Sequence, residues 1–342
     1  MTARVVQRLR RMLVRSEDYN PCFLLMPRCS VIVVTYNSAA VIEGCLRALT
    51  SQDCEVVVVD NASQDDTAGR ALALAKQVPL QLITTSRNLG FAGGVNEGVR
   101  AASSDLLLIL NPDAVAELGA ISAILTCFLK TGAEAVGGAL IDRNGQPEKG
   151  FTFRRLPTLA SLLFEVLLIN QVWPGNPVNR RYRCLDADYT REQEVEQPAG
   201  ACLAVTRKAW DSVQGMDAGF FPVWFEDVDV CARLLQSGAK IVYCPDARFR
   251  HSAAHSVGQL EFRNKQMHWY RNMVRYARKH FTALSVAILR LVIFTGMGLR
   301  ILASLFGGGP RDLPAGDPIG SYARVAMWAI GQGTRDGDSR SG

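Results

Sequence analysis

Val31-Ile32-Val33-Val34-Thr35-Tyr36 decides the reading of this chain. Its run of β-branched apolar residues leaves no polar face. It is therefore expected to be a strand buried on both sides, as in parallel sheets covered by helices. Asn37 and Ser38 follow, residues suited to capping, and a helix is expected over about 39–51. The unit then repeats. Residues 55–60 form a second strand ending on Asp60, and Ser63 opens a helix to about 77. A third strand covers 80–85, and a Gly-rich stretch from Gly90 to Gly98 leads into a short helix. Leu106–Leu110 makes a fourth strand, ending at Asn111-Pro112-Asp113. This alternation predicts an α/β fold with a mostly parallel central sheet and helices on both faces. Ligands of such sheets bind beyond the carboxyl ends of the strands, where Thr35, Asn37, Asp60 and Asp113 fall.

Farther along, helices are expected near 115–131, 207–213 and 226–237, and strands near 135–141, 198–205 and 240–244. Residues 142–195, with several Pro and Arg, give no assignable pattern. A long basic helix should run from 262 to about 280. Residues 281–306 are strongly apolar but broken by Arg290 and Arg300. The Gly/Pro/Asp/Ser-rich tail from 307 reads as unstructured. The chain thus divides into a basic leader (1–27), an α/β domain (28–261), a basic then apolar helical segment (262–306) and a tail (307–342).

The 342 residues carry a net charge of +6, unevenly spread. Residues 1–27 sum to +3, residues 262–300 to +8 without a single acid, and the last 42 to zero, so 28–261 is net −5. An acidic middle with basic flanks is not a nucleic-acid surface. Nine cysteines stand singly with no CxxC, which removes a zinc motif and fits a reducing, cytoplasmic compartment. The Arg-rich N-terminus runs into Ser16-Glu17-Asp18 without an apolar core, unlike a secretory signal. A short amphipathic helix and an unstructured leader before a start at Met26 both fit it.

Neither GxGxxG nor GxxxxGK[ST] occurs, which weakens dinucleotide and P-loop readings. Instead, Asp60 and Asp113 stand at strand ends. Two carboxylates sharing a crevice are costly unless a cation or hydrogen-bonding ligand joins them, and Mg²⁺ is commonly held by one or two carboxylates plus phosphate oxygens. A capping or turn role is the alternative for each. A second acidic group, Glu226-Asp227-Val228-Asp229, follows the aromatic run Phe220-Phe221-Pro222-Val223-Trp224-Phe225. A carboxylate beside aromatic walls suits a general base facing a polyol, although acids also simply favour helix N-termini.

Seven segments in order resemble the family 2 glycosyltransferases, rhamnosyltransferase-like members included. They are Val31–Asn37, Val58–Ser63, Asn88–Gly98, Leu108–Asp113, Gly200–Val205, Gly215–Asp217 and Phe221–Arg233, within about 30–256. The resemblance implies a GT-A fold and inverting transfer from a nucleoside-diphosphate sugar. It implies that Thr35, Asn37 and Asp60 line the nucleoside pocket and that Asn88, Gly90 and Asn96 belong to a segment closing over nucleotide and sugar. Asp113 matches the last Asp of the metal-binding triplet, while Asn111 stands where an Asp-x-Asp would begin. His251 is the implied second ligand of a Mg²⁺ or Mn²⁺ ion, ahead of His255. Asp227 matches the catalytic base, and Glu226 would position the acceptor or cap the helix. Trp224 would stack on a sugar or pack among its neighbours, and Asp229 would pair with Arg233. The best-matching donor is dTDP-rhamnose, with a cell-surface glycan or lipid-linked precursor as acceptor. A nucleotidyltransferase and a non-catalytic glycan-binding protein are the rivals. The first lacks a Gly-rich basic signature after the first strand; the second leaves Asp113 and Asp227 without a purpose.

The flanks lie outside the matched segments. Two Arg near the centre of a lone spanning helix would cost roughly 2.5–3.5 kcal/mol each. An in-plane helix or hairpin with snorkelling arginines fits 281–306 better. Arg263, Lys265, Arg271, Arg275, Arg278 and Lys279 would then attract an anionic inner leaflet. Packing on the α/β domain is the alternative.

Overall fold

The computed structural model describes residues 29–251, 262–305 and 318–331; the 1–27 leader and His255 lie outside them. Eleven strands occur among the described residues: β1 Ser30–Thr35, β2 Glu55–Asp60, β3 Leu80–Thr84, β4 Leu106–Leu110, β5 Ala114–Ala116, β6 Ala135–Ile141, β7 Phe153–Arg154, β8 Gln193–Glu194, β9 Gln197–Pro198, β10 Cys202–Thr206 and β11 Ile241–His251. The helices are α1 Ile42–Leu49, α2 Thr67–Ala73, α3 Gly90–Ala101, α4 Ala120–Thr131, α5 Leu159–Val166, α6 Ile169–Val172, α7 Pro177–Tyr182, α8 Arg207–Ser212, α9 Glu226–Gln236, α10 Phe262–His280, α11 Ala283–Leu305 and α12 Pro318–Gly331.

The main sheet runs β3-β2-β1-β4-β10-β6-β11-β5, with β8 also on β11. The first four strands are parallel, as their apolar sequences predict. β10 then runs antiparallel between β4 and β6, so the sheet is mixed. Every residue of β1 and β4 is buried. One face packs under α1, α2 and α4; the other packs under α3, α8 and α9. Both faces being covered is what continuous apolar strands require.

Two short pairings position the site. β5 lies antiparallel to the end of β11 with His251 opposite Ala114, which sets Asp113 beside His251. β7 pairs with β9 so that Arg154 stands opposite Gln197. Residues 114–116 are thus a strand rather than the start of the expected helix, which begins at Ala120.

The C-terminal helices form a third core with α5 and α9. The tail is not unstructured throughout: α12 packs on α11, burying Tyr322, Val325, Ala326 and Ala329. Arg290 and Arg300 are turned inward. Arg290 donates to the Ala329 carbonyl at 2.8 Å and Arg300 to that of Gly296 at 3.0 Å. They satisfy helix carbonyls instead of extending outward. Arg275 and Lys279 are likewise engaged with Asp217 at 2.9 Å each, and Lys279 also with Asp229 at 2.7 Å. Part of the basic flank, Arg275 and Lys279, therefore pairs with the acidic middle.

Candidate active site

Beyond the carboxyl ends of β1 and β4 lies a pocket of about 450 Å³, lined by Thr35, Asn88, Asp113, Trp224, Glu226, Asp227 and His251 among others. That volume suits a small organic ligand. Seven of the residues expected from sequence meet there.

Asp227 occupies the first turn of α9. One carboxylate oxygen accepts from the Gly200 amide at 3.0 Å and from Gln197 Nε2 at 3.1 Å, and the other from the Val228 amide at 2.8 Å. A Cβ on Gly200 would sit 2.9 Å from that of Asp227, so glycine is what lets the amide reach the carboxylate. Burial pushes the Asp227 carboxyl up, while the Gly200 amide, the Arg154 charge and the Val228 amide pull it back. Burial, then the neighbouring Asp227 charge, pushes Glu226 well above the usual carboxylate range. As pH rises, Asp227 therefore ionises first and Glu226 keeps its proton longer. Glu226 Oε2 and Gln197 Oε1 are buried without a hydrogen-bond partner, and both residues line the pocket.

The loop before α9 is bent hard. Trp224 and Phe225 both have positive φ, at 83° and 71°, and Phe221–Pro222 is cis. A non-glycine residue in the left-handed region costs about 1–3 kcal/mol and persists only where its surroundings hold it. Asn272 of α10 supplies part of that hold, donating to the Phe221 and Val223 carbonyls at 3.2 and 2.9 Å. The Phe91 amide donates to the Pro222 carbonyl at 2.7 Å. Gly90 is in the left-handed region, and a Cβ there would meet Phe221 at 2.9 Å. The Gly-rich segment and the aromatic loop are thus locked together.

Across the pocket, His251 Nε2 faces Asp113 Oδ1 at 3.6 Å, and its Nδ1 lies 3.2 Å from Glu148. Glu148 as a carboxylate only accepts, so Nδ1 carries a proton, and with the proton there alone Nε2 is bare toward Asp113. A bare nitrogen and a carboxylate oxygen facing one another are two lone-pair donors that a cation reconciles. Among the described residues no cluster of three or more His, Cys, Asp or Glu could hold a metal. The pair therefore fits a hard cation that takes its remaining ligands from a diphosphate and water, with Glu148 orienting the imidazole.

Four expected residues lie behind the pocket wall rather than in it. Asp60 accepts from Thr35 Oγ1 at 3.1 Å and from the Ser63 amide at 3.3 Å. Asn37 takes the Gln64 amide at 2.7 Å. Asn96 is spent on both backbone groups of Met216, at 2.7 and 3.0 Å. Gly90 serves the loop contact above. The neighbour Asn61, by contrast, lines the pocket, bonding Asn88, Leu89 and Gly90. Sequence reasoning missed Phe151, Arg154, Tyr182, Gln197 and Trp269, which complete the wall. The first three come from the patternless 142–195 stretch, and Trp269 from a basic helix expected to face a membrane, with packing on the α/β domain as the alternative. Asp229 does pair with Arg233, at 2.8 Å.

The glycosyl transferase family 2 model matches residues 30–181. The N-acetylglucosaminyl-diphospho-decaprenol L-rhamnosyltransferase of Mycobacterium tuberculosis (strain ATCC 25618 / H37Rv) is 30% identical over 248 residues, 67% of this chain and 77% of that protein. Rhamnosyltransferase WbbL of Escherichia coli (strain K12) is 25% identical over 188 residues, 54% of this chain and 66% of its own. Among solved structures, mannosyltransferase PcManGT from Pyrobaculum calidifontis, in complex with GDP-Man and Mn²⁺, is similar with a TM-score of 0.52 and 20% identity. That match covers 94% of this chain and 85% of the other. It shows the architecture to be GT-A.

Proposed function

The chain belongs to glycosyl transferase family 2 and is a glycosyltransferase; from there we propose that it performs an inverting, divalent-metal-dependent transfer of rhamnose or a related deoxyhexose. The donor is a nucleoside-diphosphate sugar, dTDP-rhamnose by preference, and the acceptor a hydroxyl of a lipid-linked glycan precursor. The two relatives named as rhamnosyltransferases support the sugar, and the first one's acceptor supports the lipid.

The observation that carries the reading is one pocket lined both by the half-buried carboxylate of Asp227 and by the Asp113–His251 pair. Asp227 takes the proton from the acceptor hydroxyl as that oxygen attacks the anomeric carbon. The bond from that carbon to the diphosphate oxygen breaks, and the nucleoside diphosphate leaves from the opposite face. One displacement inverts the anomeric centre. Asp113 and His251 would hold Mg²⁺ or Mn²⁺, which when bound stabilises the charge developing on the departing diphosphate. Thr35 and Asn88 border the nucleotide side, with Asn37, Asp60, Gly90 and Asn96 setting the loops behind them. Trp224 and Glu226 flank the acceptor.

Purified protein should transfer sugar from dTDP-rhamnose to polyprenyl-diphosphate-linked N-acetylglucosamine, and the product's anomeric configuration read by NMR should be inverted. Chelation with EDTA should abolish turnover and Mn²⁺ or Mg²⁺ restore it. Turnover that survives chelation would remove the metal role of Asp113 and His251.

The same proposal puts the enzyme on the cytoplasmic face of a membrane, lying in its plane. Along α11, Leu284, Leu291, Leu299, Leu302 and Leu305 are each more than half exposed, while Leu289, Ile293 and Met297 are buried against the rest of the chain. Met327 and Ile330 of α12 extend the apolar exposure. Arg263 and Arg271 remain exposed on α10 to meet anionic head groups. The protein should float with phosphatidylglycerol-containing vesicles. Leu291→Glu with Leu302→Glu should abolish flotation without changing Tm by more than a degree or two; flotation unaffected by that pair would defeat the assignment.

A further inference from the structure

Arg154 lines the pocket, and among the described residues no carboxylate lies within ion-pair distance of it. Its Nε donates to the Gly150 carbonyl at 2.7 Å, and its guanidinium lies 5.6 Å from the centre of the Phe151 ring. Those contacts fix the plane of the fork and leave its two terminal nitrogens without a hydrogen-bond partner among the described residues. Arg154 stands opposite Gln197 in the β7–β9 pair. Directly opposed residues project on the same face, and Gln197 touches Asp227. The free fork is therefore next door to the base. Two buried acceptors without partners, Gln197 Oε1 and Glu226 Oε2, belong to residues lining the same pocket. A wall with orphaned acceptors beside a free planar cation asks for a ligand bearing hydrogen-bond donors and, a short way off, an anion. A sugar carried on a phosphate or diphosphate has that form. Its hydroxyls or amide satisfy Gln197 and Glu226, and its phosphate oxygens match the arginine fork. The aromatic side of the opening, Trp224 and Trp269 in edge contact at 5.5 Å, connects the wall to the C-terminal helices.

We infer that Arg154 is a binding residue for the acceptor's diphosphate, with Gln197 and Glu226 receiving the sugar attached to it. This rests on the proposed transfer reaction and deepens it by assigning the acceptor's charged group to Arg154, whose neighbour Phe151 stacks on His251 at 5.2 Å. The donor diphosphate is the competing source of the same chemistry.

The test uses the full chain and the variants Arg154→Gln and Arg154→Lys. Dodecyl diphosphate binding is measured by calorimetry in EDTA, where no metal-held anion contributes. Wild type should bind, Arg154→Gln should bind at least about tenfold more weakly, and Arg154→Lys should fall between, since it keeps the charge and loses the fork. In turnover, Arg154→Gln should raise KM for the diphosphate-linked acceptor by a similar factor. At a pH well above the acid limb, where loss of the Arg154 charge leaves Asp227 still ionised, it should leave the donor KM within twofold and have little effect on an octyl glycoside acceptor lacking phosphate. A rise in the donor KM instead, an equal loss on both acceptors, or a change confined to the pH–rate profile would overturn the assignment. That last result would leave Arg154 merely a neighbouring charge tuning Asp227. Matched thermal unfolding of wild type and Arg154→Lys separates a folding defect from a binding one. If dodecyl diphosphate binds through Arg154 but no diphosphate-linked sugar is glycosylated, the proposed transfer fails and the anion site stands.

Discussion

Asp227→Asn is expected to lower kcat by about 10³-fold, within the usual range for removing a general base, and to leave donor affinity unchanged. The substitution preserves the shape of the side chain and, with the amide oxygen in the Oδ2 place, the hydrogen bonds from Gly200 and Gln197, while the bond from the Val228 amide is lost. It removes the capacity to accept a proton. Because no hydrogen bond or ion pair joins Asp227 to Asp113 or His251 among the described residues, the nucleotide side should not sense the change. Nucleotide release in the presence of acceptor gives the rate, and calorimetry with the donor gives the affinity. Turnover within a few-fold of wild type would remove Asp227 from the mechanism. A comparable loss of donor affinity would move it to the nucleotide side.

The same residue sets the expected pH dependence. The base works deprotonated, and burial raises its pKa against the partial opposition of the Gly200 amide and the Arg154 charge. The acid limb of kcat/KM should therefore lie above the range of an ordinary aspartate, with activity lost as pH falls through it. Glu226, raised further by burial and by Asp227 itself, should not compete for the acceptor's proton while still protonated. It is better suited to donating or accepting a hydrogen bond at its free oxygen.

The strands nearest the chemistry were legible because burial on both faces writes itself as an uninterrupted apolar run. β1 and β4 have no exposed residue to break the signal, and the ligand-binding edge followed from where they end. The aromatic-acidic stretch before α9 was legible because its composition is unusual for packing alone. The pieces that finish the site were hidden for a different reason. β5, β7 and β9 are two or three residues long, too short to show a period, and they exist because a longer partner or one another completes their hydrogen bonds. Yet β5 brings Asp113 to His251, and the β7–β9 pair brings Arg154 to Gln197. Asn96 stands in a Gly-rich segment that closes the pocket, but its side chain is consumed by Met216, a contact 120 residues away that no local pattern reveals. α12 was masked by a glycine- and proline-rich setting, although Tyr322, Val325, Ala326 and Ala329 recur at helical spacing. The charge division was read correctly and interpreted too simply. The basic flank pairs with the acidic middle through Arg275, Lys279 and His280, and it contributes Trp269 to the pocket itself.

That pairing centres on Asp229, and Asp229→Ala should be the most destabilising single change outside the sheet. Its fully buried carboxylate receives Arg233 Nε at 2.8 Å, His280 Nε2 at 2.8 Å and Lys279 Nζ at 2.7 Å. Arg233 also reaches the Val213 and Gly215 carbonyls, so the cluster ties α9 to α10 and to the loop before the aromatic run. Removing the acid leaves these groups converging on an apolar methyl. Breaking a buried ion pair from one side costs about 3–5 kcal/mol. Lys279 and Arg233 keep partial solvent access, so the lower end applies, about 3 kcal/mol and roughly 5–10 °C in Tm. Burial alone would raise this carboxyl, but the hydrogen bonds from His280 and Lys279 and the Arg233 charge bring it below its usual value. Its contribution is therefore present above the unfolded carboxylate pKa of about 4 and lost as pH falls through the lower folded value. The Tm gap between wild type and Asp229→Ala should be full at neutral pH and close in acid. Activity should fall with it, because an α10 loosened from α9 also loosens Asn272 from the Phe221 and Val223 carbonyls and Trp269 from the pocket wall. Equal Tm values at pH 7 would show that the helices hold the site by apolar contact alone.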